Sequence, residues 1–454
     1  MVHRNRRNVS NISGGFIDLA TKDTLEDQLY NKEGAVSYFT RTTTSCSWFT
    51  MVPCVLTRKS GIPTFGSDWS VSVSRAGDYL LSNWLRFELP EISVRAHSHL
   101  TNTFVSWTPN VAHALIRDCN ITFNDLSAHH FDNYYLDFIS TFTVPGGKQA
   151  GYQEMIGNTS ALTTPAKTLP ATIINLPLPL FFTKDTGISL AMAGLPYNDV
   201  AISFSFRELS DLLTVWEYSE EDSNFTPTTL DWSDHLGVYP ELHDVQVWAN
   251  YALVNNSSRK KIGEKPRDML IEQFQHIPRQ TFSPATNSYQ SYDVRFSHSI
   301  KVLFWGAENT TIPSIHSNYT TASPVVTESD GVISVSHAPG SDPIDNVSLL
   351  YENTERLSGM GADYFSQVQP YYQPKCVVPT KTGYHMYAYS LDIVDPDPMG
   401  STNFGRLTNV TVAPEASDAA VTAAESGQSF RYIIMGINHN IVRISGGAFG
   451  FPYM

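Results

Sequence analysis

Cysteine, charge and long apolar runs are all scarce in this 454-residue chain. Its four cysteines, Cys46, Cys54, Cys119 and Cys376, form no CxxC pair and no regular framework. That argues against a disulfide scaffold and for a reducing compartment, with the four read as small buried apolar residues. Charged residues make up 16% of the chain, below the roughly 25% of an average soluble protein. They are unbalanced, 30 Lys and Arg against 44 Asp and Glu, for a formal charge of −14. Direct nucleic-acid binding is therefore not expected, because phosphate contacts need clustered cations. The one basic run is His3, Arg4, Arg6 and Arg7, in a Ser, Asn and Gly-rich lead that reads as a flexible arm. No apolar stretch reaches the ~18 residues of a membrane span and no signal-peptide core follows the arginines, so the expectation is a soluble protein made in the cytosol.

Catalytic signatures are missing as well. Neither HExxH nor GxSxG occurs, and Gly146-Gly147-Lys148 lacks the upstream glycine of a phosphate loop and is followed by Gln149. Asp392, Asp395 and Asp397 before Gly400 suggest calcium ligands, but Pro396 and Pro398 and the spacing spoil an EF-hand loop. His97 and His99 form an HxH pair with no glutamate at short spacing and no counterpart in the second half, and the adjacent His129 and His130 cannot easily face one metal. The chain reads as non-enzymatic, with no cofactor and no metal.

What is present is a rhythm of short apolar runs parted by Pro and Gly. MVPCVL, WSVSVS and YLLSNWLRFEL follow one another as antiparallel strands do. Phe16 to Tyr30 reads as a short helix after the arm. Phe131, Tyr134, Tyr135, Phe138, Ile139 and Phe142 fall at helical spacing, which predicts an amphipathic helix covering an edge or end of a first sandwich. Two stretches read as sheet corners. Leu176 to Phe206 carries Pro177, Pro179, a turn at Gly187 and then LPYNDVAISFSF with Val200, Ile202, Phe204 and Phe206 alternating, and Tyr384 to Val412 carries Pro396, Pro398 and Gly400.

One corner per half implies duplication, and the length suits two domains of roughly 200 residues each. The expected order is an arm and short helix over 1–30, a first sandwich over 31–215, an acidic linker over 216–240 and a second sandwich with a C-terminal tail over 241–454. The second half would open with LHDVQVWANYALVN, with Val245, Val247, Ala249, Tyr251 and Leu253 on one face. In YDVRFSHSIKVLFWG, Val294, Phe296, Ile300, Val302 and Phe304 would share a face of another long, half-buried strand, with His298 in its one polar slot. Residues 308–343, rich in Thr, Ser, Asn, Gly and Pro, would be a long excursion at one end of the second sandwich. Arm and tail would be the pieces free to reach neighbouring subunits.

LPLPLFF, GISLAMAGLPYNDV and DPMGSTNFGRL resemble signature segments of the major capsid proteins of nucleocytoplasmic large DNA viruses. FIDLATKDTLEDQLY, SNYTTASPVV and VQPYY resemble the iridovirus branch in particular. The likeness runs from about Phe16 to the C-terminal GFP at 450–452. It implies an all-β double jelly roll, two consecutive eight-stranded antiparallel sandwiches with short helices and long loops. It also implies a homotrimeric pseudo-hexagonal capsomer tiling the outer icosahedral capsid of a virion assembled in host cytoplasm. Partners would be neighbouring capsomers, minor capsid and vertex proteins and, through the N-terminal arm, an inner viral membrane. The resemblance marks Leu195, Pro196, Tyr197, Pro396, Pro398, Gly400, Asn403, Phe404 and Arg406 as architectural residues. Among them Phe404 would be a core plug and Arg406 an ion-pair or carbonyl donor. Met399 and Gly405 depart from the wider group's small residue and serine. The competing class is a receptor- or glycan-binding protein using the 308–343 loops on the same sandwiches.

Overall fold

The computed structural model describes residues 11–30, 32–97, 100, 102–219, 224–264, 266–285, 290–329, 332–337 and 340–453. The basic run at residues 3–7, His99 and the acidic residues 220–222 lie outside these. The chain divides into two units, Met1–Ser47 and Trp48–Met454.

In the first unit the expected single helix is two, Asn11–Ala20 and Thr24–Leu29. Asp23 is the N-cap of the second. Its carboxylate accepts from the backbone N–H of Leu25 (2.7 Å) and Glu26 (3.3 Å), and the Glu26 carboxylate accepts from the N–H of Asp23 (3.2 Å), a reciprocal capping box.

The second unit opens with a four-stranded sheet, ordered Phe49–Val55, His243–Val254, Tyr79–Leu89, Thr172–Pro177. Its partner is a five-stranded sheet, ordered Thr57–Ser60, Asp68–Ser72, Val200–Phe206, Ile116–Phe123, Leu126–Phe131. The second jelly roll has a main path of four strands, Arg267–His276, Phe430–Ser445, Ser299–Asn309, His385–Ala388. Short pieces pair onto this path, and four strands, Tyr292–Asp293, Val410–Ala416, Ile344–Tyr351, Thr354–Gly361, stand opposite it. The fold is a double jelly roll.

The expected domain junction is displaced. Residues 216–240 are no simple linker, because Leu213–Ser219 and Asn224–Thr228 form a hairpin on Thr103–Trp107, with Trp216 buried and its indole N–H donating to Ser106 Oγ at 2.9 Å. His243–Val254 belongs to the first half, paired on both sides with Phe49–Val55 and Tyr79–Leu89. Val247, Ala249 and Tyr251 fill the first core, and the Tyr251 hydroxyl donates to the Ser74 carbonyl at 2.6 Å. The chain crosses to the second half through the helix Asn256–Glu264. The 308–343 excursion is not confined to one end of the second sandwich either. Its hairpin, Pro324–Ser329 with Val332–His337, continues the sheet to which the first half gives three strands.

Of the two strands expected to be half-buried, His243–Val254 alternates buried with part-exposed residues as expected, whereas Ser299–Asn309, and beside it most of Phe430–Ser445, is buried on both faces. Along Ser299–Asn309, Val302 and Phe304 enter the core shared with the first half, while Leu303, Trp305 and Ala307 enter the second. Along Phe430–Ser445, Ile433, Met435 and Ile437 face the first core, and Tyr432 and Ile434 the second. Strand alternation thus assigns successive residues to different cores. The five apolar residues expected on one face are divided as well. His298 bends the chain at φ 63° and a register shift follows between Ile300 and Val302. Val294, Phe296 and Ile300 therefore lie in the second core, Val302 and Phe304 in the first.

The amphipathic helix forms over Asn133–Thr143, capped by the Asp132 carboxylate accepting from Tyr135 N–H at 3.0 Å. It lies between the halves rather than over an edge or end of the first. Phe138 meets Phe304, Tyr319 and Tyr384 of the second half, and Phe142 stacks on Phe304.

Candidate functional site

The two corners are built from different materials. At the first, a 3-10 turn over Met192–Gly194 delivers Leu195 into the core with no exposed surface, while Pro196 and Tyr197 stay outside, Tyr197 at 75% exposure. The C-terminal segment holds this corner. Tyr197 N–H donates to the Gly447 carbonyl at 3.3 Å, and buried Asn198 accepts Phe449 N–H at 3.0 Å. Gly447, at φ 82°, has no room for a Cβ, which would sit 2.6 Å from the Tyr197 ring. Phe449 lies flat on Phe123, centroids 3.8 Å apart and planes 2° from parallel. The tail expected to be free is therefore anchored, because Gly446 and Gly447 turn Ala448–Gly450 back to pair with Phe430–Ser445.

The second corner is built largely from its own segment. The Asp392 carboxylate accepts from the N–H of Val394 (2.8 Å) and Asp395 (3.2 Å), and Asp395 accepts from the N–H of Asp397 (3.1 Å). Lys375 lies 3.3 Å from Asp392 and 3.2 Å from Asp395. These bonds hold the Asp395 carboxyl below the usual range, led by the one from Asp397 N–H. The carboxylates are thus occupied by turn amides and a lysine. Pro396 is half-buried and Pro398 exposed. Gly400 adopts φ 116°, and a Cβ there would meet the Tyr389 carbonyl at 2.8 Å. Asn403 is exposed and pairs through its backbone with Ser299. Phe404 is buried, with Phe296, Tyr351 and Tyr389 each 6.1 Å from its centroid. Arg406 is exposed and has no hydrogen bond or ion pair with any described residue, contrary to the donor role expected of it.

The residue that ties the second corner to the fold was not singled out from sequence. Lys301 has a wholly buried side chain, donating to Glu272 Oε1 at 2.7 Å and to the carbonyl of Asp395, directly before Pro396. Lys184 of the first half takes the other Glu272 oxygen. Burial alone would raise the Glu272 carboxyl, but Lys184 and Lys301 together hold it below its ordinary value. Two ammoniums, that of Lys301 wholly buried and that of Lys184 partly so, thus share one carboxylate, and the Asp395 carbonyl dipole helps hold the excess charge. Burial, reinforced by His130 and Lys184, pushes His129 down to about 3. The available signal was a lone lysine inside SIKVLFW, a charge in a run too apolar to face water.

A second polar tie passes through the interdomain helix. Asp137 Oδ1 receives His113 (2.6 Å) and Asn110 (3.2 Å) from the first half, and Oδ2 receives Ser317 (2.6 Å) and Tyr319 (3.0 Å) from the second. His113 Nε2 meets the Tyr152 hydroxyl at 2.8 Å. This chain resembles a proton relay, but burial pushes the Tyr152 phenol up and all four Asp137 contacts are internal, so it acts as a clamp. Among the described residues no group of three or more His, Cys, Asp or Glu is arranged to hold a metal ion, and no helix is long and apolar enough to cross a membrane.

Comparison with known proteins covers nearly the whole chain. Residues 37–255 match the family described as major capsid protein N-terminus, and residues 258–450 match large eukaryotic DNA virus major capsid protein. The break between the two falls at the crossing helix. The major capsid protein of Costelytra zealandica iridescent virus is 49% identical, over 98% of this chain and 99% of its own. That of Invertebrate iridescent virus 3 is 47% identical over 98% and 100%, and that of Frog virus 3 is 39% identical over 98% and 99%. Among solved structures, the PBCV-1 virus capsid aligns with a TM-score of 0.73 at 19% identity, over 92% of this chain and 100% of that one. The Faustovirus major capsid protein aligns at 0.72 and 13%, over 96% of each chain. At these identities the structural likeness bears on the fold.

Proposed function

The chain belongs to the major capsid protein family of large eukaryotic DNA viruses, iridovirus-like in its nearly full-length relatives, and from that premise we propose that it works as a homotrimeric, pseudo-hexagonal capsomer. Its role is structural, in the icosahedral capsid of the virion. The observation that carries the trimer reading is the sheet with two buried faces, which fuses two similar sandwiches into one rigid block. Three such blocks around a three-fold axis present six sandwiches, and a hexagonal outline lets identical units tile a flat facet. In this reading the corners and the Lys184–Glu272–Lys301 tie fix the angle between sandwiches, and neighbouring capsomers, minor capsid proteins and vertex proteins meet the outside of the block. The N-terminal arm is the piece that could reach an inner membrane, assembly takes place in host cytoplasm, and the chain's acidic charge keeps it from holding DNA directly. The glycan-binding alternative is not favoured, because part of the 308–343 segment is used in the shared sheet.

Light scattering on the purified chain, with negative-stain images of the same peak, tests this. The expected result is about 152 kDa, three times 50.6 kDa, with hexagonal outlines. A monodisperse 50.6 kDa species at every salt concentration would overturn it.

A further inference from the structure

Each of the two units carries an apolar surface, exposed on the first and, on the second, half-buried at its tryptophans and exposed along its edge. The first is on the N-terminal unit. Neither of its helices has a buried residue, and Ile12, Phe16, Ile17, Leu19, Leu25 and Leu29 are 61–74% exposed. Helices of ten and six residues are shorter than the ~12–15 needed for stability alone in water, so they call for a surface to hold their apolar side chains. The second is the outer face of the sheet that begins at Phe49. There Trp84 and Trp248 stack, centroids 5.9 Å apart and planes 11° from parallel. The strand register places Val55 beside Trp248 and Pro177 beside Trp84, making one apolar row across all four strands. Along the edge strand, Phe49 and Met51 are 54% and 63% exposed.

Pro53 interrupts the donors of that edge strand, so a partner cannot simply add a further strand and has to engage side chains instead. Helices with apolar side chains on offer suit that requirement. Their charge bears on the occupant as well. Asp18, Asp23, Glu26 and Asp27 outnumber the single Lys22 between residues 11 and 29, which disfavours an anionic lipid surface for the helices and suits Arg58, exposed three residues beyond the edge strand's end, in the strand Thr57–Ser60. The eight residues of 40–47 carry no helix or strand and can span roughly 27 Å when extended.

We propose that the arm helices of one copy pack across the Trp84–Trp248 row and the Phe49–Val55 edge of a second copy. In a three-fold ring each arm meets the next body, a heterologous contact that closes. The inference rests on the trimer reading and adds a surface to it.

A photoreactive benzophenone amino acid at position 16 of the full chain, irradiated in the 152 kDa peak, should give covalent products joining two chains, with adducts in 49–55 or at Trp84 or Trp248. The double variant Phe16→Asp, Leu19→Asp changes side chains that are exposed in the single chain, so the body should melt as before. Its trimer should dissociate at protein concentrations at least tenfold higher than the wild type, and Val55→Asp should do the same from the receiving side. Adducts confined to one chain or mapping elsewhere, or unchanged trimer dissociation in both variants, would overturn the proposal. So would binding to phosphatidylserine vesicles that is lost in the double variant while its trimer is unaffected. A wild-type mass of one chain would sink the trimer reading itself, whereas a trimer with misplaced adducts would sink only the arm contact.

Discussion

The first corner is held by a residue 251 positions away, Phe449 on Asn198, whereas the second is held by its own aspartates and by a buried lysine beneath it. Both put a proline outside and an apolar residue inside, so they look alike at the level of motif. They differ in what fails when they are damaged. The first depends on the chain's last segment closing over it. The second depends on charges that leave water only because each has a partner. A long-range apolar clasp releases when its contact is cut, while a buried ionic tie, once broken, leaves a charge stranded.

The largest effect should therefore come from Glu272→Ala, which strands Lys184 and Lys301 together. Loss of a buried partner costs about 3–5 kcal/mol, readable as a fall in the denaturation midpoint. A loss below about 1 kcal/mol would mean the lysines find other partners, and the contrast between corners would vanish. Next come the two aromatic plugs. Phe404→Ala and Phe449→Ala should each cost about 3–5 kcal/mol by cavity formation, with only Phe449→Ala making the C-terminal residues susceptible to protease. Equal protection of the tail in both variants would show that the clasp does not depend on that ring.

Acid should act on the ionic tie from two sides. His129 is neutral in the fold, with His130, Lys184 and Glu272 around it, and its value is depressed to about 3 from 6.5. The unfolded chain protonates first, so the stability this histidine contributes is complete above about pH 6.5 and is lost as pH falls toward 3. The Glu272 carboxyl, also depressed, adds a loss below the ordinary carboxylate range. His129→Leu should flatten the slope of melting temperature against pH between 6.5 and 4, while Phe449→Ala should leave the slope unchanged. The smallest effect is Arg406→Ala. An exposed side chain with no partner among the described residues should change stability by no more than about 0.5 kcal/mol, and a larger fall confined to the assembled peak would place Arg406 in a contact between subunits.

Local pattern made much of this architecture legible. The 3.6-residue period from Phe131 to Phe142 and the alternation from Val245 to Leu253 named their elements, and prolines with Gly400 marked the second corner. What a period cannot carry is the address of each face. Val302 and Leu303 are equally apolar, and only the opposite packing layers tell which core each enters. His243–Val254 was misplaced because strand order in a jelly roll is not chain order, and its partners at 49–55 and 79–89 are remote in sequence. Arg406 belongs to a motif yet makes no bond with any described residue, while the partners of Lys301, Glu272 and a backbone carbonyl, are remote in sequence and leave no local pattern.

The double-faced sheet has a mechanical consequence. A wall common to two rooms cannot bow toward one without crowding the other, since close-packed side chains on both sides resist compression. The two jelly rolls therefore cannot hinge or slide past each other, and a force on one is passed whole to its twin. In a shell made of such pieces, curvature and shear have to be absorbed at the seams between pieces, and the tile itself stays flat.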